Sequence, residues 1–223
     1  MPDNEINKIR DLLEDFQRIC DENLAVYFSA LQLNNEHPDI FTEDMKNMVV
    51  EYGLLRFFGQ WERFIERCFI EYMLGEKSTL NYLPNRYVMP IDANHAYKIV
   101  QNVNQYPDWT DIAKITTNAD NFFQDGGPFK TLHTLKTTLN EMKKVRNAIA
   151  HTSLKARHDF ENLVRSKVGH SPEGITPAKF LSEHKIGRKK SDPTFYEYYI
   201  TYVKDTAGII CGFSAEDNLM LIL

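Results

Sequence analysis

The chain has 223 residues, 43% of them hydrophobic and 12% aromatic, with a formal net charge of -5. That length and apolar content suit one domain with elaborations, or at most two small ones, and argue against a disordered polypeptide. The acidic balance argues against a general nucleic-acid coat protein. Three cysteines, Cys20, Cys68 and Cys211, far apart and odd in number, argue against a disulfide framework or a zinc site.

Free thiols fit a reducing cytosol, and a cytoplasmic protein is the expectation. The start, Met1-Pro2-Asp3-Asn4-Glu5, is polar and acidic, unlike a signal peptide. No apolar run approaches the ~20 residues that span a bilayer, so no membrane partner is expected. Only 10 Gly and 9 Pro fit a fold of long elements with few turns.

The elements read as helical almost throughout. From 5 to about 33, Ile6, Ile9, Leu12, Leu13, Phe16, Ile19, Cys20 and Leu24 recur at helical spacing. Asn34-Asn35-Glu36-His37-Pro38 predicts a turn. A second helix is predicted from about Thr42, a cap followed by Glu43 and Asp44, to 74, with Gly75 as its stop. Leu54, Phe57, Phe58, Trp61, Phe64, Ile65, Cys68, Phe69 and Tyr72 load one broad face and make it the central core helix. Gly53 and Gly59 within it suit close helix packing.

Residues 76–129 are less regular, punctuated by Pro84, Pro90, Pro107 and Pro128. A short helix is predicted over 93–102. Aromatics Tyr106, Trp109, Phe122, Phe123 and Phe129 follow, and Gly126-Gly127-Pro128 closes the segment. A third main helix is predicted over 129–150, with Leu132, Leu135, Leu139, Met142, Val145 and Ile149 as its stripe. Further helices are predicted over 154–168, 178–184 and 194–211, with Ser171 to Pro177 a loop and 187–193 basic and exposed. The last helix keeps some strand ambiguity from its Thr and Tyr content; Tyr196, Tyr199, Val203 and Ala207 face inward. The fold class is therefore all-α: a bundle of long antiparallel helices in one domain over 1–223. It carries a helical and irregular insertion at about 76–129 and a C-terminal helical extension at about 178–223.

Charge is unevenly spread. From 143 to 190 there are 12 Lys and Arg against 4 Asp and Glu, a net of +8, so the remainder carries -13. His151, His158, His170 and His184 also fall there. Such a run is either a solvated face or a local polyanion site.

Within it, Arg146-Asn147-Ala148-Ile149-Ala150-His151 sets a fixed cation and a titratable imidazole at the end of a helix. Asn147 and His151 are four apart and share a face. Arg146 falls within the arc of Leu135, Leu139, Val145 and Ile149, so its guanidinium must snorkel or be held by acceptors. An ideal helix places Arg146 and His151 about 140° apart. A long side chain, fraying near Ala150, or a second copy of the chain would bring them together. A plainer reading pairs Arg146 with a carboxylate and leaves His151 as a cation at a helix C-terminus.

The segment resembles the R-N-x-x-x-H form of the signature of the HEPN superfamily, small helical bundles that include many metal-independent ribonucleases. The resemblance extends to an aromatic-rich helix bearing Trp61-Glu62, a long insert, then the Leu-rich helix into the motif. Downstream, 160–168 and Gly174-Ile175-Thr176-Pro177 are similar too, so the likeness covers about 12–211. It implies a homodimer in which two motifs face each other and form one site. The implied reaction is attack of a ribose 2′-OH on the adjacent phosphate, giving a 2′,3′-cyclic phosphate and a 5′-OH. His151 is then the general acid or base, Arg146 the phosphate ligand, and Asn147 a residue that orients His151 or donates to phosphate.

Supporting expectations follow. Glu62 is a candidate for positioning Arg146 or His151, or else a solvated carboxylate. Lys143, Lys144, Lys155, Arg157 and Arg165 are candidates to track an RNA backbone. Trp61 reads as core, and His158 and His170 as surface residues. No phosphate-binding loop, HExxH, GxSxG or metal-ligand spacing occurs, so no metal or cofactor is expected. The function expected is a HEPN endoribonuclease of a toxin–antitoxin or antiphage system, with RNA as substrate. A cognate antitoxin, nucleotidyltransferase-like, or another defence protein is a further partner. The alternatives are a non-catalytic HEPN module that binds RNA, a nucleotide or a protein, and a helical dimerisation subunit with a coincidental motif.

Overall fold

A computed structural model describes residues 7–103, 108–170 and 172–214. Among them the chain is all-α: α1 (Lys8–Glu36), α2 (Glu43–Leu74), α3 (Ala93–Val103), α4 (Ile112–Phe122), α5 (Leu132–Ala150), α6 (Leu154–Val168), α7 (Pro177–Glu183) and α8 (Phe195–Cys211). Strand pairing among the described residues is limited to two isolated antiparallel bridges, Arg86–Phe123 and Lys185–Thr194. The expectations placed on Glu5, Ile6, Tyr106, Pro107, Ser171 and the chain beyond 214 lie outside the described residues.

Local chemistry accounts for several boundaries. Thr42 Oγ1 accepts from Met45 N, and Thr42 O from Lys46 N, which opens α2. Gly75 takes a left-handed φ of 99° and closes it. Ser153 Oγ accepts from Ala156 N at 3.2 Å to start α6, and Gly169 ends it at φ 86°. The eighth helix has no strand character, because its inward row, Tyr196, Tyr199, Val203 and Ala207, is fully buried at helical spacing.

The segment around α4 departs from expectation. The expectation there is irregular chain punctuated by prolines, and Thr116, Thr117 and Asn118 are in addition poor helix formers. Asp111 overrides them by capping Ala113 and Lys114, while Thr116 and Thr117 return their hydroxyls to backbone carbonyls. Gln124–Phe129 then forms a kinked turn with left-handed backbone at Asp125, Gly126 and Gly127, and α5 begins at Leu132 rather than near 129. Gly127 is required in that turn, for a Cβ there would stand 2.8 Å from Phe123 Cβ.

The chain divides into two compact units, each discontinuous in sequence. The first comprises Met1–Gln17, Trp61–Lys136 and Lys204–Leu223, so the expected insertion at about 76–129 falls wholly within it. Its core is aromatic. Phe69 is fully buried against Trp109, Phe122, Phe123 and Phe129, with ring centroids 5.0 to 6.0 Å away. Phe16 stacks on Phe64 at 4.6 Å and meets Trp61, which is core as expected. Tyr72 donates to the Ile210 carbonyl at 2.9 Å, and Arg86 caps the end of α2 at the Met73 carbonyl. Cys68 and Cys211 are free, buried thiols with sulfurs 3.9 Å apart; burial pushes the Cys68 thiol well up.

The second unit comprises Arg18–Gln60 and Thr137–Val203 and carries the whole Arg146–His151 segment. Tyr27 stacks on Tyr196 at 4.3 Å, and Phe180 on Phe195 at 4.4 Å. Tyr196 donates to Asn23 Oδ1 at 2.7 Å, and Asn23 Nδ2 donates to the Gly53 carbonyl at 3.1 Å. Gly53 makes that approach possible: a Cβ would stand 2.5 Å from Tyr196 Oη. Gly59 has no neighbour within 4 Å of such a Cβ, so the close packing expected at both glycines holds only at Gly53. Buried Lys46 pairs with Glu43 at 2.6 Å, and Lys167 with buried Glu141 at 2.7 Å.

Buried phenols give the molecule an alkaline limit. Burial disfavours tyrosinate and pushes Tyr27 from 10.0 to about 12, with the Thr194 hydroxyl partly offsetting it. Tyr72, Tyr196 and Tyr199 are pushed up by the same cause. The folded chain thus holds protons that the unfolded chain releases above about pH 10, so stability is complete below that and declines as pH rises through about 12. The melting temperature is expected to be flat just below about pH 10 and to fall steadily above it; a flat profile up to about pH 12 would contradict this.

Candidate functional site

The segment is built by the end of α5. Leu139, Met142 and Val145 are buried at 4% exposure or less and anchor one face of that helix. Leu135 and Ile149, at the two ends of the expected stripe, are half-buried. This anchoring fixes the direction in which Arg146 leaves the backbone.

Arg146 is half-buried, and its guanidinium carbon lies 5.9 Å from the centroid of the Phe58 ring. Its Nη1 donates to Asn147 Oδ1 at 3.1 Å. Among the described residues no carboxylate stands within ion-pair distance of it, so the carboxylate pairing is not made. A guanidinium held by a ring and one amide oxygen keeps most of its five donors. That is the state required to receive a phosphate or carboxylate in a bidentate pair.

His151 is exposed and follows the last residue of α5. Its backbone N–H still donates to the Asn147 carbonyl at 3.0 Å. The i→i−4 ladder therefore reaches His151, and the helix does not fray before it. Ideal helical turn then leaves the two residues about 140° apart around α5. Unwinding near Ala150 does not bring the imidazole to the guanidinium. The chain reverses through His151, Thr152 and Ser153 into α6, whose first residue, Leu154, is an apolar side chain 85% exposed.

Asn147 is engaged with Arg146 through its amide oxygen, which leaves its two N–H donors for another acceptor. Among the described residues no side-chain hydrogen bond joins Asn147 to the His151 ring. The residue expected to orient the histidine thus holds the arginine in this structure.

The other predicted site residues lie on α2, α5 and α6. Lys143 is half-buried and Lys144 exposed on α5. Lys155 and Arg157 are exposed at the start of α6, within a few residues of His151. Arg157 Nε donates to Glu161 at 2.9 Å, an i,i+4 pair with both side chains in solvent, which such pairs hold only weakly. Arg165, His158 and His170 are exposed. Glu62 is half-buried on α2 in the first unit, whereas Arg146 and His151 belong to the second. Its neighbour Glu66 accepts from Trp109 Nε1 at 3.1 Å.

Phe58 is the residue of this site that sequence reasoning placed only in the core. At 3% exposure it is a core residue, and it is also the seat of the guanidinium. Nothing in the spacing of α2 marks it, since its partner lies 88 positions further along the chain.

Among the described residues, no group of three His, Cys, Asp or Glu side chains is arranged to hold a metal ion. None of their helices is long and apolar enough to cross a membrane. No protein-family model, curated protein or solved structure matches this chain.

Proposed function

We propose that this chain is a HEPN-type, metal-independent endoribonuclease of a toxin–antitoxin or antiphage defence system, acting as a homodimer. The observation that carries the reading is the state of Arg146: half-buried over Phe58, held by Asn147, and without a carboxylate partner among the described residues. An uncompensated guanidinium costs stability unless an anion uses it. The exposed His151, one turn beyond Asn147, supplies an imidazole able to accept or donate a proton.

With Arg146 and His151 about 140° apart around α5, a second copy is the proposed means of bringing both groups to one phosphate. In the proposed reaction His151 takes the proton of a ribose 2′-OH as its oxygen attacks the adjacent phosphorus. The bond from phosphorus to O5′ breaks, and the leaving oxygen takes a proton from His151 of the second copy. The products are a 2′,3′-cyclic phosphate and a 5′-OH. Arg146 binds the scissile phosphate and stabilises its growing charge, with the Asn147 amide as a further donor. Lys144 and Lys155 then contact the backbone on either side. DNA has no 2′-OH and is spared.

The test is incubation of the purified chain with cellular RNA in EDTA. Fragments ending in a 2′,3′-cyclic phosphate are expected. Retarded RNA with no cleavage would instead establish the second reading, a non-catalytic HEPN module. That reading is favoured by the His151 ring, which has no side-chain partner to orient it among the described residues.

A further inference from the structure

The second unit also contains a cleft of about 500 Å³ between α1 and α2, lined by none of the residues 146–151. The two helices run antiparallel here: Asn23 bonds Gly53, and Asn34 Nδ2 donates to the Phe41 carbonyl at 2.9 Å. Residues whose numbers sum to about 76 therefore face each other. That register sorts the lining into two ends. Arg18 and Glu22 lie opposite Arg56 and Gln60, and Val26 lies opposite Val49, with Tyr52 between the ends.

The polar end carries two arginines, Arg18 and Arg56, and one carboxylate, Glu22. Arg18 Nη1 is shared with Glu22 at 2.9 Å. Arg56 is exposed and has no ion-pair or hydrogen-bond partner among the described residues. Tyr52, Arg56 and Gln60 are four apart and form one stripe along α2. The apolar end has an unusual surface for an acidic chain: Tyr52 is 67% and Val26 56% exposed. The walls are fixed, since Asn23 is tied to both Tyr196 and Gly53, and Phe57 at the base is fully buried. From Val49 to Gln60 the helix rises about 16 Å, and clefts of this size suit ligands of metabolite size.

We infer that this cleft binds a small aromatic anion, its phosphate or carboxylate between Arg18 and Arg56 and its flat body against Tyr52, Val26 and Val49. Arginine suits a planar oxyanion, and an exposed tyrosine ring suits a planar apolar face. The mixed lining, with Glu22, Asn23 and Gln60 among the apolar side chains, suits a compact ligand with several polar atoms better than an acyl chain. The inference does not depend on RNA cleavage.

Titration calorimetry with 1-naphthyl phosphate tests it, on protein bearing His151→Ala so that no RNA chemistry contributes. Saturable binding is expected, with inorganic phosphate alone at least about tenfold weaker. Arg56→Ala and Tyr52→Ala, both at exposed positions and expected to fold, should each weaken it about tenfold. AMP bound as tightly identifies a nucleotide as the source of the anion; naphthyl phosphate preferred over AMP identifies a simpler aryl anion. Affinity unchanged in Arg56→Ala, decanoate bound as tightly as naphthyl phosphate, or no saturable binding at about 1 mM would overturn the assignment.

Discussion

Replacing His151 with alanine is expected to lower RNA cleavage by about 10²–10⁴-fold while leaving the melting temperature unchanged. The two halves of that expectation have separate causes. A general acid or base supplies a contribution of that size, whereas an exposed side chain at a helix end with no side-chain partner among the described residues contributes little to folding. Arg146→Ala is expected to lower cleavage by about 10²-fold or more, through loss of transition-state charge stabilisation. It also removes the contact with Phe58 and the bond to Asn147, so a small loss of stability accompanies it. Arg146→Lys is informative because it keeps the charge and removes the planar fork, and most of the loss should remain. Cleavage that survives His151→Ala, or that needs a divalent metal, would rule out the chemistry proposed. The composite site has its own test, since a chain that is monomeric at micromolar concentration cannot assemble it.

The largest expected effect on stability is at Phe69. Its side chain is fully buried and touches four other aromatic rings drawn from α4, the turn after it and the segment before it. Phe69→Ala removes a buried ring and opens a cavity that four rigid neighbours cannot close. Such changes cost about 3–5 kcal/mol, a large part of the ~5–15 kcal/mol that holds a domain together. The urea midpoint should fall sharply, and Phe69→Leu should recover part of the difference. Val26→Ser, on a side chain 56% exposed, is the control and should leave the midpoint nearly in place. A Phe69→Ala midpoint close to that of the control would mean that the aromatic cluster does not hold the first unit together.

Much of the architecture was legible from residue order. The apolar rows of α1, α2, α5 and α8 repeat at helical spacing, and that periodicity located each of them to within a few residues. Gly75 marked a helix end because only glycine enters the left-handed region cheaply. The helix α4 was not legible. Its sequence is locally poor for a helix, and what forms it is the Asp111 cap together with burial of Ile112, Ile115, Ala119 and Phe122. Burial on that scale is set by the partners of a segment, which propensity does not record.

The candidate site divides in the same way. The order Arg146-Asn147-xxx-His151 and the angle that a helix imposes on it follow from sequence, since 3.6 residues per turn is a property of the backbone. The pairing of Asn147 with Arg146 rather than His151, the ring of Phe58 beneath the guanidinium, and the sharing of one cleft by Arg18 of α1 and Arg56 of α2 do not. Each joins side chains whose distance depends on how helices pack, and periodicity says which face is buried without saying against what. The sequence by itself determined an all-α chain with a cation and an imidazole at one helix end. Only the tertiary structure decided that the cation is held by Phe58 and Asn147 with no carboxylate partner among the described residues, because that depends on which neighbours the packed helices bring within reach.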